Sequence, residues 1–373
     1  MPNLFDSFEW SRPAGGLTLP NRVVVAPMCQ YSARDGCAND WHLAHWVSLL
    51  NSGAGWVMIE ATAVTEEGRI TPGCLGLYNE ATAHALNDHL QRARRQAPPV
   101  PVCLQLSHAG RKASSAEPWN GGGLIGVSDG GWHTVAPSAL PHAAGESTPA
   151  ALDAAGLEWI CQAFVASAKQ AAAMGIEAVE LHAAHGYLLH EFLSPVANQR
   201  TDQYGGNFEG RIRYPLQVFA AVRQAYEGVL GMRISASDWV ENGWTPEETA
   251  DLAWHLRQAG ADFVHISSGG VSPQQKIAIG PGYQVPFARM AKQKSGLPTI
   301  AVGLITDPAQ ANQVLANGDA DLVALARAFL YNPRWGWAAA AALGGEVTAN
   351  AQYWRCLPPG TGRIFGDIHV GMR

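Results

Sequence analysis

Two histidines and a tyrosine lie close together in the segment VELHAAHGYLLHEFLSP, at His182, His185 and Tyr187. In a regular strand His182 and His185 would face opposite sides, so the chain must turn near Ala184 if both are to reach one ligand. Gly186 allows that turn with little strain. Two imidazole N–H groups that converge on one oxygen would polarise a carbonyl, and a tyrosine just beyond could protonate the neighbouring carbon. The same spacing also fits a structural pair of histidines, or the metal site of a hydrolase or lyase.

A second group of residues suits a phosphorylated ligand. Arg233 lies inside an apolar run, where an arginine is unfavourable unless it meets an anion or a polarised acceptor. Gly303, Ala326 and Arg327 follow two later apolar runs, at positions where α/β barrels commonly bind phosphate through backbone N–H groups. Together they favour a phosphorylated cofactor or substrate, although each arginine taken alone fits a surface ion pair equally well.

Two further side chains point to a heterocyclic cofactor. Gln105, an amide within an apolar run, can donate and accept hydrogen bonds along the edge of a heterocycle, or can be a buried glutamine satisfied by backbone. Cys29 follows the first long apolar run, where a thiol could touch a cofactor or simply fill a small core space.

These residues must be positioned by a repeating strand and helix pattern. Amphipathic stretches such as Leu157 to Met174, Phe208 to Tyr226 and Pro246 to Ala259 alternate with the apolar runs, and Thr245 and Pro246 are typical of a helix start. The pattern predicts an α/β fold, a TIM (β/α)8 barrel in one domain over residues 1–373, rather than an open sheet, because no GxGxxG follows the first strand. The predicted strands are Arg22 to Met28, Trp56 to Ala63, Val100 to His108, Ala178 to His185, Met232 to Trp239, Phe263 to Ser268, Thr299 to Leu304 and Leu322 to Ala326.

Two segments interrupt the alternation. Gly15 to Arg22 is predicted to form a short hairpin that plugs the bottom of the barrel. Residues 109–150, rich in Gly, Pro, Ser and His, are too long for an ordinary connection after the third strand, so we expect a functional excursion loop that caps the barrel mouth.

Composition excludes several classes of protein. The chain is 47% hydrophobic and 15% charged, which is typical of a globular protein, and its net charge of -6 offers no basic surface to nucleic acid or anionic membranes. No stretch approaches the roughly 20 apolar residues that cross a bilayer, and we therefore expect a cytoplasmic protein. The six cysteines lack CxxC spacing, so reduced thiols are expected.

With these residues in view, the sequence resembles the old yellow enzyme family over nearly its whole length, and most closely the xenobiotic-reductase or thermophilic-like branch. The block from residue 182 to 211 is the most specific part of the resemblance. The carriers are APMCQYS (26–32), EATAVTEEGRITPG (60–73), QLSHAGRKAS (105–114), HAAHGYLLHEFLSPVANQRTDQYGGNFEGR (182–211), RISASDW (233–239) and AVGLIT (301–306).

The resemblance implies a noncovalently bound FMN across the barrel mouth and NADPH or NADH as its reductant. It implies contacts to the flavin ring from Ala26, Pro27, Met28, Cys29, Ala63, Gln105 and Arg233, and contacts to the phosphate from Gly303, Ala326 and Arg327. Ala26 and Ala326 depart from residues common in the family, Ser or Thr and Gly respectively. Val302 stands where some relatives carry a large aromatic, which leaves the substrate profile open.

The resemblance also implies the substrate class, α,β-unsaturated carbonyl compounds such as enones and maleimides, with nitro compounds as a further group. His182 and His185 would hydrogen-bond the carbonyl oxygen, Tyr187 would protonate the α-carbon, and Tyr31 would line the substrate side.

The C-terminal tail, residues 345–373, carries a further implication. Its QYWRC motif resembles the tail that reaches a neighbouring subunit's active site in this branch, with Trp354 and Arg355 as substrate contacts. We therefore expect a homo-oligomer, a dimer or a tetramer.

Overall fold

The computed structural model describes residues 2–11, 16–369 and 371, and within them eight parallel strands close into a barrel. The strands are β1 (Phe8–Trp10), β2 (Leu17–Leu19), β3 (Val23–Val25), β4 (Trp56–Ala63), β5 (Val102–Ser107), β6 (Val135–Ala136), β7 (Ala150–Ala151), β8 (Ala178–Ala183), β9 (Val229–Ser235), β10 (Phe263–Ser267), β11 (Thr299–Ala301) and β12 (Leu322–Leu325). The barrel order is β3-β4-β5-β8-β9-β10-β11-β12, with β12 pairing back to β3. This confirms the predicted (β/α)8 architecture.

Helices follow the barrel strands, and their ends are fixed by local sequence. Thr245 caps the helix Pro246–Gln258 by accepting from the N–H of Glu248, whose side chain accepts in return from the N–H of Thr245. Pro246 is the first helical residue, as predicted. None of the helices in the described residues is long and apolar enough to cross a membrane. The helices are α1 (Asp40–Leu50), α2 (Glu80–Arg94), α3 (Ala154–Ala173), α4 (Leu188–Leu193), α5 (Phe208–Ala225), α6 (Pro246–Gln258), α7 (Val285–Ser295), α8 (Pro308–Ala316), α9 (Arg327–Tyr331) and α10 (Trp335–Leu343).

The strand predictions hold best for β4, in which every residue is buried. β4 has the predicted bounds, whereas β9 begins and ends earlier than the predicted Met232 to Trp239. The segment after Ser235 leaves the sheet because Asp238 turns inward to accept hydrogen bonds and Trp239 adopts a left-handed φ of 56°. The polar side chains there belong to the loop that follows the strand.

A hairpin closes the bottom of the barrel, and it covers more of the chain than the predicted Gly15 to Arg22. β2 pairs antiparallel with β1, while Gly15 lies outside the described residues. The Trp10 ring packs 5.2 Å from Trp56 and 6.1 Å from Phe263, measured between ring centroids. This apolar layer seals the end of the barrel opposite the strand C-termini.

The excursion loop, residues 109–150, carries only short elements. They are the 3-10 turns Gly110–Lys112, Pro118–Asn120 and Val127–Asp129, the strand β6, and the start of its parallel partner β7. The Trp132 indole donates to the backbone carbonyl of Glu67, 2.8 Å away, and so ties the loop to the segment that follows β4. The loop therefore stands over the C-terminal ends of the barrel strands.

Candidate active site

The chain turns sharply after β8, and this turn places His182, His185 and Tyr187 at one end of the barrel. His185 and Gly186 have φ values of 58° and 77°, in the left-handed region. A Cβ on Gly186 would lie 2.2 Å from the carbonyl oxygen of Gly270, so only glycine fits. The turn expected near Ala184 is thus present, and it includes His185 itself.

The backbone fixes the tautomer of His182. Its Nδ1 accepts from the N–H of Ala184 at 3.2 Å, so the hydrogen of the neutral ring resides on Nε2. Burial, reinforced by the positive charge of Arg233, lowers the pKa of His182 well below its usual value. His182 is therefore a neutral hydrogen-bond donor.

Tyr187 stands beside His182. The two rings meet edge to face with centroids 4.9 Å apart, and burial raises the pKa of Tyr187 well above its usual value. The phenol thus keeps its proton at neutral pH. Tyr187, Tyr31 and Cys29 pack against one small apolar cluster that includes Ile70 and Cys74.

His185 makes a different contact. Its ring is 5.1 Å from that of His182, but its Nε2 lies 2.8 Å from the hydroxyl of Ser267 at the end of β10. Burial lowers the pKa of His185 well below its usual value, and the ring is neutral. If the Ser267 hydroxyl donates to Nε2, the imidazole hydrogen resides on Nδ1.

Arg233 and Gln105 lie in the interior of the barrel. Their neighbours there, Glu180 and His265, were not recognised as such from the sequence. Gln105 donates through Nε2 to Oε1 of Glu180 at 2.6 Å, and the other oxygen of Glu180 lies 2.9 Å from Nδ1 of His265. Arg233 is in register with both His182 and His265 on the neighbouring strands. The i, i+2 spacing of Glu180 and His182 was the available signal, since it places both on one face of a strand.

The last strands end around a cavity of about 200 Å³. Gly303 has a φ of 127°, and a Cβ there would meet the amide of Gln284 at 2.8 Å. Gln284 in turn bonds Ser268 and the carbonyl of Val302. The lining includes His185, Ser267, Gln284, Gly303, Ala326 and Arg327, so the predicted phosphate residues do come together.

A second set of buried groups supports the turn after β8. His190 Nδ1 accepts from the N–H of Gly186 at 2.8 Å, and its Nε2 lies 2.9 Å from the carboxylate of Asp238. Lys112 donates to the carbonyl oxygens of His185 and Gly270, at 2.8 and 2.9 Å, and its ammonium group lies 5.2 Å from the Tyr187 ring centroid. Burial lowers the pKa of Lys112 to about 8.

The tail residues Trp354 and Arg355 do not join this group. Trp354 lines a cavity with Pro20, Asn21 and Gly53, which precede the barrel strands and so lie at the opposite end of the barrel. Arg355 is exposed. Within one chain, the tail is therefore remote from the His182 site.

In the described residues, no set of three or more His, Cys, Asp or Glu side chains is arranged to hold a metal ion. What the mouth of the barrel offers instead is neutral donors, a buried guanidinium group and a glycine-lined cavity. This combination suits an organic, anionic cofactor.

Comparison with known proteins gives the family directly. The family model described as NADH:flavin oxidoreductase / NADH oxidase matches residues 13–343. The chain is 41% identical to the NADPH dehydrogenase of Geobacillus thermodenitrificans, over 91% of this chain and 95% of that protein. It is 43% identical to an NADH:flavin oxidoreductase of Gibberella zeae, over 89% and 84% of the two chains. Morphinone reductase in complex with tetrahydroNAD is 25% identical, with a TM-score of 0.75 over 97% of this chain and 94% of that one.

The fold and the site define a flavin-dependent barrel oxidoreductase. The chain belongs to the NADH:flavin oxidoreductase / NADH oxidase family, the old yellow enzymes. It is an NAD(P)H:flavin oxidoreductase with FMN as its cofactor, and a nicotinamide nucleotide is the reductant.

The residues at the barrel mouth fit FMN. Arg233 is 7% exposed, and its Nε finds no hydrogen-bond partner among the described residues. A buried donor without a partner is unfavourable, so this position calls for an acceptor from a ligand. Gln105, whose Nε2 is engaged by Glu180, retains its carbonyl oxygen as an acceptor. Both polar requirements are those of a flavin edge, which carries carbonyl oxygens and an N–H.

Proposed function

We propose that the protein reduces the C=C bond of α,β-unsaturated carbonyl compounds, such as enones and maleimides, and that nitro compounds form a second group of acceptors. The observation that carries the proposal is the pairing of His182 with Tyr187. One ring is a fixed neutral donor and the other a phenol that keeps its proton, and their centroids are 4.9 Å apart. A carbonyl substrate needs both, a donor for its oxygen and an acid for its α-carbon.

FMN, when bound and reduced, supplies the hydride for the β-carbon. The protein's part is to hold that cofactor and to orient the substrate. For the flavin ring we assign Ala26, Pro27, Met28, Cys29, Ala63, Gln105 and Arg233, and for the phosphate Gly303, Ala326 and Arg327.

His182 and His185 would bind the carbonyl oxygen as neutral donors. Burial lowers the pKa values of both rings and keeps them uncharged at neutral pH, so each can donate an N–H to the oxygen without first gaining a proton. Polarising the carbonyl lowers the electron density at the β-carbon and stabilises the enolate that forms on addition of hydride. Tyr31 would line the substrate side, since it shares an apolar cluster with Tyr187.

Tyr187 would then donate its phenolic proton to the α-carbon. Its raised pKa keeps the acid form present over the working pH range, and an enolate carbon is basic enough to accept the proton. The positively charged ammonium group of Lys112, near the face of the Tyr187 ring, would stabilise the Tyr187 phenolate that results.

We further propose that Trp354 and Arg355 act at the site of a neighbouring subunit in a homo-oligomer. Because both residues are remote from the site of their own chain, they could contact substrate only in the site of a neighbouring subunit. The exposure of Arg355 supports this role. Light scattering would give the oligomeric state, and Arg355→Ala should weaken substrate binding without loss of FMN.

The main experiment separates the two half-reactions by stopped-flow. Wild-type protein should carry FMN, be reduced by NADPH or NADH, and be reoxidised by 2-cyclohexenone. Tyr187→Phe should keep the rate of flavin reduction but slow reoxidation by the enone about 100-fold, within the usual range for a general acid. Tyr204→Phe, on the loop before α5, is the matched control and should leave both rates unchanged.

Two results would contradict the proposal. A wild-type protein that holds no FMN would remove the cofactor assignment. A Tyr187→Phe variant with normal reoxidation would remove Tyr187 as the proton donor while leaving the flavin assignment intact.

A further inference from the structure

Glu180 is a buried carboxyl group in the interior of the barrel, and the assigned substrate and flavin contacts do not include it. It lies on β8, in register with Gln105 on β5 and with Gly231 on β9, and its exposure is 0%. Both of its oxygens are engaged, Oε1 by Nε2 of Gln105 at 2.6 Å and Oε2 by Nδ1 of His265 at 2.9 Å. Such a group has a large desolvation cost unless its charge is matched.

Few neighbouring groups can compensate the negative charge of Glu180. Below Glu180 lies the apolar layer of Trp10, Trp56 and Phe263, and the Phe263 ring occupies the space that a side chain at Gly231 would need. Above it, Arg233 is in register with His265 and His182 on the adjacent strands. Burial lowers the pKa of Arg233, and the nearby carboxylate of Glu180 opposes that shift, so we assign this buried guanidinium group as the cation that compensates Glu180.

The protonation states in this layer are set by geometry. The His265 ring is buried, and a carboxylate facing Nδ1 holds the imidazole hydrogen on that atom. His265 Nε2 is then a bare acceptor, and it has no hydrogen-bond partner among the described residues. Burial, followed by the nearby positive charge of Arg233, lowers the pKa of His265, in keeping with a neutral ring.

We propose that Glu180 is a positioning residue that sets the redox equilibrium of the flavin through Arg233 and Gln105. Its negative charge offsets part of the positive charge of Arg233. Its hydrogen bond with Nε2 of Gln105 orients the amide oxygen of Gln105 toward the cofactor. The proposal rests on the assignment of Arg233 and Gln105 as flavin contacts under Proposed function. The proposal is tested by the reduction potential of the flavin, which would not change if Glu180 had a merely structural role.

Glu180→Gln isolates the charge. The amide oxygen of the new side chain can still accept from Gln105, and its NH2 group can donate to His265 once that ring moves its hydrogen to Nε2. Arg233 then lacks its counter-charge, and the negative charge of reduced FMN is favoured. We expect the equilibrium constant for two-electron reduction to rise about tenfold, which is about 30 mV.

The control is Glu177→Gln, the same substitution just before β8. Glu177 accepts from Arg94 and from the N–H of Val102 at the other end of the barrel, so its loss should leave the flavin potential unchanged. Potentials are measured by photoreduction against a reference dye, and FMN content by absorbance. A Glu180→Gln protein that holds FMN at the wild-type potential would overturn the inference.

A second measurement needs no variant, in case Glu180→Gln does not fold. The tautomer of His265 in the wild-type holoenzyme is read from the ¹⁵N shifts of its ring, assigned by comparison with His265→Gln. A hydrogen on Nδ1 supports an ionised Glu180. A hydrogen on Nε2 would mean that Glu180 is the protonated partner, carries no charge, and cannot act as proposed. If wild-type protein instead held no FMN, the proposed function would fail first.

Discussion

The backbone N–H of Gly186 donates to Nδ1 of His190 at 2.8 Å, and this single bond ties the active-site turn to a buried carboxylate. Because Nδ1 accepts, the imidazole hydrogen is on Nε2, which donates to Asp238 at 2.9 Å. Asp238 also accepts from the hydroxyl of Ser194 and from the N–H of Trp244. The turn that carries His185 and Tyr187 is therefore held by a hydrogen-bond chain with one allowed tautomer.

Asp238→Asn should reverse that tautomer. The new NH2 group faces Nε2 of His190, which must then accept, and the hydrogen moves to Nδ1, where it opposes the N–H of Gly186. We expect a loss of about 1–3 kcal/mol in the free energy of unfolding, measured in urea, from the unsatisfied donor. Asp251→Asn, which removes a half-exposed ion pair with Lys294, should change stability by less than about 1 kcal/mol. Equal effects of the two substitutions would contradict the tautomer argument.

Gly186→Ala should be far more harmful than a glycine substitution at the same φ in open space. Its Cβ would lie 2.2 Å from the carbonyl oxygen of Gly270, in addition to the strain of a φ of 77°. Gly206 has a φ of 75° but nothing within 4 Å of a Cβ. Gly206→Ala should cost about 1–2 kcal/mol by thermal unfolding, and Gly186→Ala clearly more, with loss of enone reduction. Similar melting temperatures for the two variants would show that the turn relaxes.

Acid should destabilise the protein below pH 6.5. Burial lowers the folded-state pKa values of His182, His185 and His265, while in the unfolded chain these rings protonate near pH 6.5. Below that pH the unfolded state binds more protons, so the free energy of unfolding falls by about 1.4 kcal/mol per pH unit for each histidine. Urea titrations at pH 7.5, 6.0 and 5.0 measure the slope. His182→Gln should reduce this slope by one histidine's share. An unaltered slope would mean that His182 binds the same number of protons in the folded and unfolded states, so that its pKa is not lowered by folding.

Trp119 should affect the affinity for aromatic enones. It is 67% exposed on the excursion loop, and its ring meets that of Tyr31 edge to face with centroids 5.8 Å apart. A contact between two aromatic rings contributes about 0.5–1.5 kcal/mol, and we expect Trp119 to make such a contact with the ring of an aryl enone bound beside Tyr31. Trp119→Ala should therefore raise the KM for an aryl enone about two- to tenfold and leave flavin reduction unchanged. Trp159→Ala, 54% exposed on the outer helix α3, is the control. A rise in KM for both variants would point to a general loss of stability.

Much of the barrel could be predicted from the sequence because its determinants are local. β4 is a mostly apolar run, Thr245 and Pro246 mark a helix start, and Gly186 marks a turn. Each of these signals depends on residues close in the chain. The resemblance of whole motifs then placed the candidate residues at strand ends. The bounds of β9 were less accurate, since its end depends on the distant partners of Asp238.

The contacts between strands that are far apart in sequence were decided only by the tertiary structure. The sequence by itself determined that His182, Gln105 and Arg233 lie on strands of a flavin-type barrel and that Tyr187 follows one of them. The register of those strands decided that Gln105 meets Glu180 and that Glu180 meets His265, and the turn after β8 brings His185 to Ser267. Register follows from closing the whole barrel, and a shift by one residue would turn each of these side chains to the other face. No local pattern carries that information.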